Sequence, residues 1–250
     1  MYLTFLLTTS HHITSHGLKI NVTKSEHIVI GHPRVRQITV DGRPEAKDVK
    51  LLGLRFSNAY RFDLHTDSIT EKIASRTGQL SKLVGWADQE TMETLANATI
   101  LPVANYGASI YASDKANINR VQIKINKCMR LITNSKLSRH VADMIKELNW
   151  MKFTDMVDHA KVMLLHKILV TSAAPYCKML VENASNRTRY ATREVELKIA
   201  WRPKLARKGC KSFLVTSVKL YNQVKLIGKM MKHSAISKYT KATLLAWNKK

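Results

Sequence analysis

Arg120, Lys124, Lys127 and Arg130 recur at spacings of four, three and three within "NINRVQIKINKCMRLI". On a helix, residues three and four apart share one stripe. A row of cations at that pitch can track a phosphate backbone, each contact releasing condensed counterions and reading no base. Beside it Ile118, Val121, Ile125, Cys128, Met129 and Ile132 form an apolar stripe that would bury the same helix on one side. The alternative is an ordinary solvated helix face.

Other chemistry-bearing residues are sparser. Lys24 stands in "HGLKINVTKSEHIVIG" between Asn21 and an apolar strand, either over a phosphate or as a solvated loop charge. His159 and His166 lie seven apart with no ligand at i,i+4, so packing or surface roles outweigh a metal site. Asp155 and Asp158 open the same helix and read as first-turn acids rather than a carboxylate pair. Trp86, Trp150, Trp201 and Trp247 each sit near a segment end, as core anchors do; base stacking by one of them is the lesser reading. Cys128, Cys177 and Cys210 form no CxxC and have no histidine at ligand spacing, which argues for a reducing compartment and against a zinc knuckle. No P-loop, GxGxxG, GxSxG, HExxH or Asp-Asp dipeptide occurs.

Charge sets the partner class. Forty-one Lys+Arg against 18 Asp+Glu give a formal +23, a field that attracts polyanions. Nucleic acid comes first and an anionic membrane surface second. After Glu196 there is no acid at all, and such a one-signed tail repels itself unless something anionic neutralises it. The opening "MYLTFLLTTSHH" lacks a basic n-region, and no stretch approaches the roughly 20 apolar residues of a membrane span. An intracellular chain, nuclear or cytoplasmic and not secreted, is expected, with no small-molecule substrate; the oligomeric state stays open.

These residues need elements to hold them. Residues 17–56 look β-rich, with strands at "EHIVIG", "RQITV" and "VKLLGLRFS". From about residue 63 the apolar period changes from 2 to 3.6. "DLHTDSITEKIASRTGQLSKLVGW" sets Leu64, Ile69, Ile73, Leu80 and Leu83 on one face. "DQETMETLANATILP" has Asp88 as cap and Pro102 as a stop or kink, and Asp114 caps the helix of the cation stripe. "HVADMIKELNW", "FTDMVDHAKVMLLHKILVTS", "SFLVTSVKLYNQV" and "SAISKYTKATLLAWNKK" continue the helical pattern. The expected architecture is mainly α with a small N-terminal antiparallel β meander. A meander this small needs cover on its apolar face.

The order of several pieces resembles the C-terminal part of reverse transcriptases from jockey-like non-LTR retrotransposons. "GLKINVTKSEHIVIG", "ITVDGRP…VKLLGLRFS", "NATILPVANYGASIYAS", "INRVQIKINKCMRLIT", "APYCKML" and "RYATRE" carry the likeness, which spans residues 17–224. It implies a palm remnant over 1–60, a thumb-like helical domain over 61–135 and a basic helical region over 136–250. Leu51, Leu52 and Gly53 then fall in the primer-grip-like hairpin, and Lys24 at the family's loop lysine. In an intact polymerase that lysine could give a proton to departing pyrophosphate. The family's aromatic-x-Asp-Asp turn, whose carboxylates hold two Mg²⁺ ions, would precede residue 1. The chain itself is therefore expected to have no polymerase activity and no cofactor, and Lys24 to be an exposed lysine without an acid partner. Phe62 stands where the family usually has Trp, Gly107 and Tyr111 where it has Cys and Trp, and Tyr221 for another Trp. Bulk is kept at the aromatic positions, which lets a helical core persist. The resemblance implies sequence-independent binding to the backbone of an RNA/DNA duplex. A stand-alone basic helical module docking on an acidic protein or anionic membrane is the alternative.

Overall fold

The computed structural model describes residues 15–17, 19, 21, 25–28, 45–59, 61–171, 174–183, 197–199 and 213–223. Lys24, "RQITV", Trp201, Cys210, Trp247 and "SAISKYTKATLLAWNKK" lie outside them. The chain forms two compact units, divided between Phe62 and Asp63. It is mainly helical, with a small antiparallel sheet toward the N-terminus.

In the first unit, β1 (Asp48–Leu51) pairs antiparallel with β2 (Leu54–Ser57), Asp48 opposite Ser57 and Leu51 opposite Leu54. "VKLLGLRFS" is thus a hairpin and not the single strand that its apolar run suggests. Leu52 and Gly53 make the turn with φ of 48° and 84°. Two successive left-handed residues match the twist of paired strands. Glycine takes that conformation freely, whereas Leu52 does so at a cost of about 1 kcal/mol. Asp48 and Arg55 pair across the strands at 3.2 Å, and Phe56 meets Phe62 edge-on with centroids 5.5 Å apart. Glu26–Ile28 of the expected first strand adopt no strand conformation, although the His27 carbonyl accepts from Ala46 N at 3.0 Å.

The second unit begins with α1 (Asp63–Ser81), α2 (Gln89–Thr99), α3 (Leu101–Asn105) and α4 (Ala108–Tyr111). It continues through α5 (Lys115–Ile132), α6 (Val141–Glu147), α7 (Phe153–Thr171) and α8 (Pro175–Met179). A second two-stranded antiparallel sheet pairs β3 (Val181–Asn183) with β4 (Leu197–Ile199); α9 (Phe213–Gln223) follows. Asp88 and Asp114 cap α2 and α5 as expected, accepting from Thr91 N (2.9 Å) and Ala116 N (3.4 Å). The break before Pro102 is real: α2 ends at Thr99 and the proline sits in the first turn of α3. Gly107, at φ 66°, turns the chain from α3 into α4.

Ile73, Ile100, Tyr111, Val121, Ile125, Met144 and Phe153 are among the fully buried side chains of this unit. α1 packs chiefly on α5, and α7 on α9, α4 and α5. The backbone N–H of Phe153 opens α7 by donating to Gln122 Oε1 on α5 at 2.6 Å, tying together helices on either side of residue 135. The buried face of α1 is not the expected leucine stripe. Leu64 and Leu83 are exposed, while His65, Thr66, Thr70 and Thr77 are buried beside Ile69, Ile73 and Leu80. Hydroxyls can replace leucine there because Thr70 and Thr77 donate to their own helix, at Asp67 O (2.9 Å) and Ile73 O (2.8 Å). His65 adds an edge-on ring contact to Tyr111 at 4.9 Å. No helix among the described residues is long and apolar enough to cross a membrane.

Candidate nucleic-acid interface

α5 lies beside α1 with residue numbers rising together. Arg120 meets Asp67 near one end, and the Cys128 thiol meets the Thr77 hydroxyl further along. Val121, Ile125, Cys128, Met129 and Ile132 are buried as the apolar stripe requires; Asn117 is buried with them and Ile118 only in part. The cations follow the edge of this seam.

They do not share one environment. Arg120 forms an ion pair with Asp67, both side chains remaining partly exposed. The acids of α1, Asp63, Asp67 and Glu71, all lie in its first half, and residues 72–87 contain none. Beyond that change of sign, Lys127 and Arg130 border a groove of about 380 Å³ whose lining includes Thr77, Gly78, Ser81 and Asn134 and no acid. Among the described residues no acid pairs with Lys124, Lys127 or Arg130. Lys127 is exposed; Arg130 is half-buried, and its Nε is buried without a hydrogen-bond partner. A desolvated donor left unpaired costs about 1–3 kcal/mol.

The end of α5 shapes the groove's far wall. Asn134, at φ 46°, reverses the chain, Ser135 N donating to Arg130 O (3.0 Å) and Asn134 N to Leu131 O (3.4 Å). That double bond pattern closes a helix through a left-handed residue, here asparagine in the usual place of glycine. Arg139 Nη1 then donates to Ser135 Oγ at 2.7 Å. Sequence reasoning missed these groove residues; "TNS" directly after the helical run was the available signal.

Cys128 is inert in this setting, since burial pushes its thiol up to about 12 against the opposing Thr77 contact. The primer-grip-like residues lie in the other unit, Leu51 and Leu52 at the hairpin turn being 58% and 81% exposed. His159 and His166 serve different surroundings. His166 is buried with Nδ1 3.2 Å from the Tyr221 hydroxyl, and His159 lines a separate cavity of about 470 Å³ with Trp150 and Glu93. Asp155 is a first-turn acid, but Asp158 is not: it lies one turn on, 3.9 Å from Lys161 Nζ. Burial drives the Asp158 carboxyl up and the Lys161 ammonium down, each partly offset by the other. Among the described residues no group of three His, Cys, Asp or Glu could hold a metal ion.

Core anchoring describes only one of the described tryptophans. Trp150 is buried, its Nε1 donating to Glu93 at 3.3 Å, whereas Trp86 is 91% exposed. The connection from Ser81 to the Asp88 cap is too tight to return Trp86 to the core: Leu83 O accepts from both Trp86 N and Ala87 N at 3.0 Å.

No family model, curated protein or solved structure matches the chain.

Proposed function

We propose that the chain binds nucleic acid through the sugar–phosphate backbone, without reading bases, along the open end of the α1–α5 seam. The observation that carries this is the acid-free groove lined by Lys127 and Arg130, neither of which has an acid partner among the described residues. Phosphate oxygens accept from both cations, and the Thr77, Ser81 and Asn134 side chains line the same space. The +23 of the whole chain draws the polyanion to it. The resemblance adds a context: a thumb-like piece of a non-LTR reverse transcriptase would hold an RNA–DNA duplex, and no Asp-Asp pair occurs to make it polymerise. Binding, not catalysis, is the assigned role.

With Lys124, Lys127 and Arg130 as the free contacts, log affinity should fall against log salt with a slope of about −2 to −3. Fluorescence anisotropy with two RNA–DNA hybrids of unrelated sequence tests this. Equal affinities and that slope are expected. A strong preference for one sequence, or affinity indifferent to salt, would overturn the assignment. Binding to phosphatidylserine vesicles without binding to either hybrid would favour the membrane module instead.

A further inference from the structure

The groove has an unusual mouth. Val84 and Leu137 line its rim, and Leu137 is 85% exposed. Two residues after Val84, hence within about 8 Å of it between Cα atoms, stands Trp86. Its 91% exposure is the highest among the large apolar residues described.

Trp86 is not on a loose loop. Lys82 N and Leu83 N still bond back to Gln79 O and Leu80 O, at 3.2 and 3.0 Å. Leu83 O takes two further N–H groups, Gly85 supplies the left-handed turn at φ 89°, and Asp88 starts α2 at once. The backbone under the indole is therefore fixed between two helices while the ring itself faces water. A basic groove with a fixed, exposed aromatic two residues from its lining is a combination that suits single strands: cations follow the phosphates and the ring takes a base.

We infer that Trp86 is a stacking platform for an unpaired base of a single-stranded nucleic acid whose adjoining phosphates lie on Lys127 and Arg130. This rests on the phosphate-binding reading of the groove and adds the strand class. In a duplex each base is already stacked on its neighbours, so an indole gains a partner only where a strand is unpaired. A bilayer fits the site less well. It is flat and would touch the tips of Trp86 and Leu137, while Lys127 and Arg130 line a groove that a flexible strand can enter.

The test uses the full chain and its Trp86→Ala and Trp86→Phe variants; an exposed side chain on a fixed turn can be changed without disturbing the core. The probes are labelled oligothymidylate of about 20 nucleotides, a blunt duplex of about 40 base pairs, and phosphatidylserine vesicles. Trp86→Ala should weaken the oligothymidylate by about 5- to 150-fold, the range expected for one stacked base. Trp86→Phe should weaken it by less than about 5-fold, and the duplex should change by no more than about 2-fold. Indole fluorescence quenched by oligothymidylate in the wild type should be quenched less in Trp86→Phe. Equal losses on both nucleic acids, or none on either, would overturn the inference and leave phosphate binding standing. So would loss of vesicle binding with oligothymidylate binding intact. A wild type that binds no nucleic acid would overturn both.

Discussion

The guanidinium of Arg120 on α5 is paired with the carboxylate of Asp67 on α1, and this contact divides a four-cation stripe into a neutralised end and an open end. The division follows from composition along α1, whose acids stop at Glu71 while the cations of α5 continue to Arg130. Two helices running side by side in the same direction turn that one-dimensional pattern into a gradient along their seam.

Asp67→Asn should release Arg120 as a further phosphate contact. Affinity for an RNA–DNA hybrid at low salt is expected to rise by about 2- to 8-fold, with the salt slope steepening by about 0.9. The unfolding free energy should change by no more than about 1 kcal/mol, because both partners are partly exposed. Weaker binding in this variant would mean that the pair positions the seam rather than occupying a cation.

Gly78→Leu should move stability and binding in opposite directions. A Cβ at Gly78 meets nothing within 4 Å, so the helix accepts it, and removing a mid-helix glycine is worth about 0.5–1 kcal/mol. The new side chain projects into the groove and should weaken nucleic-acid binding by about 10-fold, on the order of one lost contact. Urea denaturation and anisotropy on the same preparation read the two effects.

Asp158→Asn should destabilise the chain by about 3 kcal/mol, because it leaves the Lys161 ammonium, 7% exposed at the side chain, without its carboxylate. Lys161→Met should cost less, since Asp158 keeps 27% exposure and can be hydrated. The sign with pH is defined. The folded pKa of Lys161 lies below its ordinary 10.5, so between those values the unfolded chain holds more protons and stability rises with pH. That component should be absent from the stability–pH curve of Lys161→Met and should therefore appear in the wild-type-minus-variant difference.

Cys128 acts in the opposite sense in alkali. Its thiol ionises at 9.0 when unfolded and at about 12 when folded, so its contribution is complete below pH 9 and is lost as pH rises toward 12. Cys128→Ala should flatten that part of the stability–pH curve, and native Cys128 should resist alkylation at pH 8.

What sequence reasoning captures here is what local physics decides. The caps at Asp88 and Asp114, the interruption before Pro102 and the two stripes of α5 each depend on residues within a few positions of one another, and each is present. The hairpin at Leu52–Gly53 reads as a single strand from its apolar run, because a leucine at φ 48° carries no turn signature. The polar face of α1 was invisible, because threonines bury well only when their hydroxyls return to the backbone, and nothing in their spacing announces it. Trp86 reads as a core anchor from its place near a segment end and is exposed because a tight connection holds it outside. The Arg120–Asp67 pair, 53 residues apart in sequence, depends on the packing of α1 against α5. So does the groove that Lys127 and Arg130 line.

The central claim is that the open end of the seam holds phosphates, and the salt dependence of one double variant tests it most directly. Affinity of the wild type and of Lys127→Gln/Arg130→Gln for one RNA–DNA hybrid is measured across a series of salt concentrations. Removing two phosphate contacts should lower the magnitude of the log–log slope by about 1.8 and weaken binding most at low salt. Parallel lines of unchanged slope would contradict the account, because they would mean that Lys127 and Arg130 touch no phosphate.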